Sequence, residues 1–112
     1  AKKNAGEKSK VVRERVMRAR KIQTERFNDV PGIHSNAQMT SKLIQTYCAL
    51  DEQCSQLLKS AMDRLNLSAR AYDRILKVSR TIADLAGSEE IKPEHLAEAI
   101  QYRSLDRENW GK

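Results

Sequence analysis

A chain of 112 residues is one domain at most, with room for a modest core of a few helices. Aromatic residues make up 4% and the apolar set is mostly Leu, Ile, Ala and Val, which favours helix; no alternating β-rich segment bounded by turn signals occurs, so an all-α chain is expected. The net charge of +6 is uneven: residues 1 to 28 hold ten Lys or Arg against three Glu, leaving about −1 for the remainder, so the basic character belongs to the front end.

The sequence has no apolar run long enough for a transmembrane helix and no apolar stretch like that of a secretory signal. A soluble, cytoplasmic protein is expected, with no membrane partner. Cys48 and Cys54 match neither a zinc pair nor a redox CxxC motif, and they read as buried, reduced thiols.

Residues 1 to 10, AKKNAGEKSK, are small, polar and basic without an apolar anchor. They read as a flexible segment, either a connection to something upstream or an arm for polyanions. Residues 11 to 27 place Val12, Val16, Ala19, Ile22 or Gln23, and Phe27 at helical spacing, with Arg and Lys around the rest. This is a basic helix with a narrow apolar stripe. Its Arg13, Arg15, Arg18, Arg20 and Arg26 are candidates for contact with nucleic acid or a neighbouring subunit; the alternative is a solvated basic helix. No aromatic residues interleave with these arginines, as they usually do in single-strand binding.

The loop at 28 to 39 carries a Pro31-Gly32 turn signal and a lone His34 with no second metal ligand nearby. A short helix from about Thr40 to Leu50 follows. Asp51 can then cap a further helix with Cys54, Leu57, Leu58, Ala61, Met62 and Leu65 as its stripe. Asn66 and Leu67 break the period, so a very short turn joins this helix to the next.

The run Leu67 to Gly87 is the best-specified element. Ser68 is placed as N-cap and Gly87 as a left-handed stop. Ala69, Tyr72, Ile75, Leu76, Ser79, Ile82, Ala83 and Leu85 fall on one side, facing a core. Arg70, Arg74 and Lys77 fall on the other, with Asp73 and Asp84 placed to pair with Lys77 and Arg80. Arg70 stands in the first turn, where the helix dipole disfavours a cation; there, unpaired backbone amides and a guanidinium together suit a phosphate. Pro93 and Glu94 open a last helix with Leu96, Ala99, Ile100 and Arg103 on its face and His95 at the edge. Leu105 and Trp110 are the only large apolar groups of the tail, and Trp110 either docks on the bundle or stays loose.

The segment SARAYDRILKVSRTIADL, followed by IKPEHLAEAIQYR, resembles the C-terminal part of magnesium-chelatase-like AAA+ ATPases of the ComM/YifB type. VRERVMRARKIQTER, the Asn-Ala pair ahead of the second helix and Cys-Ala-Leu at 48 to 50 are similar to that family's upstream pattern. The resemblance implies that residues 11 to 112 form the helical lid behind the nucleotide-binding core, a small bundle of about four to five helices with a basic N-terminal helix. It also implies that Arg70 is the sensor 2 arginine that reaches the ATP phosphates, with Arg74 behind it.

No stand-alone catalyst emerges. Neither Gly6, Gly32, Gly87 nor Gly111 sits in a P-loop context, and no carboxylates follow a hydrophobic strand to hold magnesium. The resemblance places the nucleotide core ahead of residue 1, so this chain alone is expected not to be an enzyme, to hold no metal and to have no bound cofactor. For the parent protein the resemblance implies a homo-hexamer that hydrolyses ATP with Mg2+ and, in some members, moves on DNA in uptake and recombination. The rival reading is a stand-alone helix-turn-helix DNA-binding module with Arg70, Arg74 and Lys77 as its reading face.

Overall fold

The computed structural model describes the backbone of residues 2 to 110 and the side chains of residues 9 to 102. Among these, five α-helices and one short 3-10 turn are joined by loops, with no strand. Helix α1 spans Lys2–Arg26, the 3-10 turn Asn36–Gln38, α2 Ser41–Tyr47, α3 Glu52–Leu65, α4 Ala69–Leu85 and α5 Pro93–Trp110. The architecture is the all-α bundle that composition favours. Helix α1 begins well ahead of the periodic run at 11, within the stretch expected to be flexible. The expectations for Arg103, Leu105 and Trp110 concern side chains outside the described residues.

Short polar side chains set the helix boundaries by taking up first-turn amides that have no carbonyl partner. Asp51 accepts from the Cys54 amide at 2.7 Å, Ser68 from the Ala71 amide at 3.2 Å and Thr40 from the Leu43 amide at 3.4 Å. Asn66 stops α3 in the left-handed conformation, with φ 53°, so the α3–α4 join is as short as expected. Gly87, with φ 72°, follows α4; the amides of Gly87 and Ser88 close back onto the carbonyls of Asp84 and Ala83. Helix α2 ends at Tyr47, short of the expected Leu50, because Asp51 starts the next helix and the chain must turn before it.

Helix α4 is the centre of the bundle, packing against α5, α1, α2 and the 3-10 turn, while α3 packs on α5. One core unites Phe27, Met39, Ile44, Cys48, Cys54 and Leu58 with Ile75, Leu76, Ala83, Leu96, Ala99 and Ile100. Ser79 lies inside it with its hydroxyl satisfied, donating to the Ile75 carbonyl at 2.7 Å.

Several side chains depart from the periodic reading. Tyr72 is 40% exposed rather than buried, and Val12 is 55% exposed although it continues the α1 stripe. His95 lies buried rather than at an edge: its Nδ1 accepts from the Lys92 amide at 3.0 Å, a bond that ties the ring to the start of α5. Arg80 and Asp84 pair as expected, at 3.1 Å, but inside the protein rather than on a solvated face.

Candidate functional site

The groove that holds Arg70 runs along α4. Helix α4 supplies Arg70, Asp73, Arg74, Lys77, Val78, Thr81, Ile82 and Leu85; Arg15 of α1 and Ala37 of the 3-10 turn stand on one side, with His95, Glu98 and Tyr102 of α5 on the other. Its volume is about 950 Å³. Four cations face two carboxylates there, a surplus that favours an anionic occupant.

Arg70 is exposed in the first turn of α4, and among the described residues no hydrogen bond or ion pair holds its guanidinium. A carboxylate clamp would have removed it from any external role. Lys77 is committed instead: its Nζ donates to the Ala37 carbonyl at 3.1 Å rather than to Asp73. Arg74 is exposed and lines the same groove. Of the five α1 arginines named as candidates, Arg13, Arg18 and Arg20 are exposed but lie outside the groove, Arg15 joins it, and Arg26 is held elsewhere.

Arg26 is not available to a phosphate. Its guanidinium grips Asp84 with two bonds of 2.8 Å and also donates to the Asn36 side-chain oxygen at 2.9 Å. It lies 5.7 Å from the centre of the Tyr47 ring, which meets Phe27 edge-on. Asn36 completes the cluster, donating from Nδ2 to Asp84 at 2.8 Å and to Thr81 at 3.1 Å while its backbone amide donates to Gln23. Arg80 covers the far side of Asp84 and donates to the carbonyls of Ser88 and Glu89. This cluster fixes α1, the 3-10 turn and α4 to one another. Periodicity missed it, because Asn36 sits outside any regular run; the pointer was a lone Asn between a helix stop and a Thr cap.

Burial pushes both thiols up, to about 11 for Cys48 and about 11 for Cys54, the latter also raised by its bond to Asp51. Neither thiol is in a disulfide. His34 is exposed, its amide donating to the Gln38 side chain, and among the described residues no group of three or more His, Cys, Asp or Glu is arranged to hold a metal ion.

The family model described as magnesium chelatase, subunit ChlI C-terminal, matches residues 6–103. The chain belongs to this family. Its similarity to competence protein ComM of Haemophilus influenzae is 48% identity over 102 residues, covering 91% of this chain and 19% of that protein. YifB of Escherichia coli K12, an uncharacterized protein, is 42% identical over 102 residues with the same coverage. The uncharacterized protein Rv2897c of Mycobacterium tuberculosis is 33% identical over 98 residues, 88% of this chain and 19% of that protein. The chain thus spans about a fifth of the length of these relatives. In each of them the matched region is one part of a longer protein.

Proposed function

We propose that this chain is the helical lid of a magnesium-chelatase-like AAA+ ATPase and that Arg70 acts as its sensor 2 arginine. The observation that carries the reading is an uncommitted guanidinium in the first turn of α4, at a cationic groove, within a family domain whose relatives are about five times as long. An arginine placed there neutralises charge on a phosphoryl group that another domain holds; by itself it positions nothing. ATP and Mg2+ would therefore bind in the full-length protein, whose P-loop core this chain lacks, and Arg74 would stand behind Arg70. A homo-hexameric, cytoplasmic motor working on DNA is the extension that the family resemblance implies, and the printed name of the Haemophilus influenzae relative, a competence protein, is compatible with it. Exposed Arg13, Arg18 and Arg20 are then the candidates for DNA or subunit contact.

The helix-turn-helix alternative gains the short α3–α4 join but loses its reading face. Arg70, Arg74 and Lys77 line a concavity flanked by α1 and α5, whereas a recognition helix must project into a DNA groove.

The test is ATP turnover of the full-length protein with Arg70→Ala, compared with Lys59→Ala on the exposed side of α3. A loss of about a hundredfold or more for the first and none for the second is expected. Equal, small effects would remove the sensor assignment. Arg80 is no control, since its loss would disturb the core.

A further inference from the structure

Helix α1 outruns the bundle. Its later half is anchored by Ala19, by Phe27 just beyond its end and by the Arg26 pair with Asp84, but from Ser9 to Arg18 every side chain except half-buried Val16 is exposed. The apolar stripe does not stop where the packing stops. Val12, Val16, Ala19 and Gln23 follow one another at four- and three-residue steps and so share a face. Burial fades along that face toward the start of the helix: Ala19 is 3% exposed, Val16 is half-buried and Val12 is 55% exposed. Val11, at the edge of the same face, is 45% exposed. Branched side chains lower helix propensity slightly, so Val11 and Val12 work against an extension that nothing covers.

Charge and area decide between the possible occupants. Residues 9 to 18 hold four cations against one carboxylate, so the same segment of a second copy would be repelled. Two or three valines also fall far short of the roughly 1,200 Å² that a stable contact between separate molecules buries. A tethered segment needs much less, because a short connection holds it at an effective concentration on the order of millimolar. About four-fifths of each relative lies outside the matched region, and a C-terminal domain has that remainder on its N-terminal side, where α1 starts. We infer that the face of α1 formed by Val11, Val12 and Val16 is the docking surface for the polypeptide ahead of Ala1 in the longer protein, which lays apolar side chains over Val12. Helix α1 then bridges that part and the bundle. The inference rests on this chain being the C-terminal part of a longer protein, as the proposed function does, and on no role of Arg70.

The experiment uses the full-length protein without nucleotide, so that its outcome is independent of the sensor assignment. Val12→Cys, Glu14→Cys and Lys59→Cys are each treated with a maleimide, and the labelling rate is read by mass spectrometry of the peptide that carries the site. All three positions are exposed in this chain, and Glu14 is turned to the far side of α1 from Val12. Val12→Cys should react about tenfold or more slowly than the other two, since a covered thiol reacts only when the contact opens. A benzophenone side chain in place of Val12 should, on irradiation, cross-link within one polypeptide to residues ahead of Ala1. Labelling at Val12→Cys as fast as at Lys59→Cys, or equal protection of Val12→Cys and Glu14→Cys, would overturn the proposal. So would covalent dimers, which put a second copy on the face, or cross-links confined to residues 9 to 112.

Discussion

Arg26, the last residue of α1, and Asp84, in the last turn of α4, meet in a two-pronged ion pair with both bonds at 2.8 Å, although 58 positions separate them in the chain. Asp84 is 1% exposed and answers three donors, since Arg80 and Asn36 also reach it. Its charge is therefore what permits two guanidiniums to sit this deep. Asp84→Ala should cost about 3–5 kcal/mol, because it leaves buried positive charge uncompensated; urea denaturation of the chain measures this.

Asn36→Ala removes an acceptor for Arg26 and two donated bonds, to Thr81 and Asp84. The expected loss is about 1–3 kcal/mol. Because Asn36 and Arg26 share Asp84, the double substitution should differ from the sum of the single ones by about 0.5 kcal/mol or more. Strict additivity in a denaturation cycle would show that the cluster is not one unit.

Two arginines of the same helix should behave in opposite ways. Arg70→Ala should change stability by no more than about 0.5 kcal/mol, as at any exposed site without partners. Arg80→Ala should lose several times as much, because Arg80 is 4% exposed and bonds to Asp84 and to the Ser88 and Glu89 carbonyls. Parallel thermal melts of the two variants decide it.

Gly87→Ala tests the stop of α4. A Cβ there would meet nothing nearer than the Arg18 guanidinium at 3.9 Å, so the penalty comes from the positive φ alone. About 1–2 kcal/mol is expected.

Alkali should destabilise the fold before it reacts with the thiols. Burial pushes Cys48 and Cys54 up to about 11 in the native state, against 9.0 for an ordinary thiol. Both states keep their protons below about pH 9, and above it the unfolded chain loses them first. The thiols' share of stability is thus intact at neutral pH and lost as pH rises from about 9 to 11. Urea midpoints across that range should fall, and Cys48→Ala or Cys54→Ala should flatten the slope. Iodoacetamide at pH 8 should leave both thiols unmodified in the native chain.

Much of the bundle was legible in the sequence because its signals are local. Asp51 and Ser68 cap as their positions suggest, Gly87 takes the left-handed turn, and Ile75, Leu76, Ala83, Leu96 and Ala99 face inward at helical spacing. Polar residues that act across the chain were not legible. Arg26 looks on α1 like any other cation of a basic helix until Asp84 is folded against it. His95 lies on α5 where an edge residue would, yet a bond to the Lys92 amide turns it inward. The site divides in the same way. Arg70 was placed by cap and dipole, which are properties of one helix, whereas the presence of Arg15 in the same groove depends on how α1 crosses α4.

The unbroken run of α4 gives the Arg26–Asp84 latch a mechanical meaning. Arg70 and Asp84 stand about 21 Å apart on one rod, at the rise of an α-helix. A tilt of about 5° pivoting at the latched end would sweep the Arg70 end through about 2 Å, while α1, clamped beside the pivot, would be carried with the rod rather than sheared from it. On this geometry a displacement of the Arg70 guanidinium would tilt α4 and α1 together rather than shear one from the other.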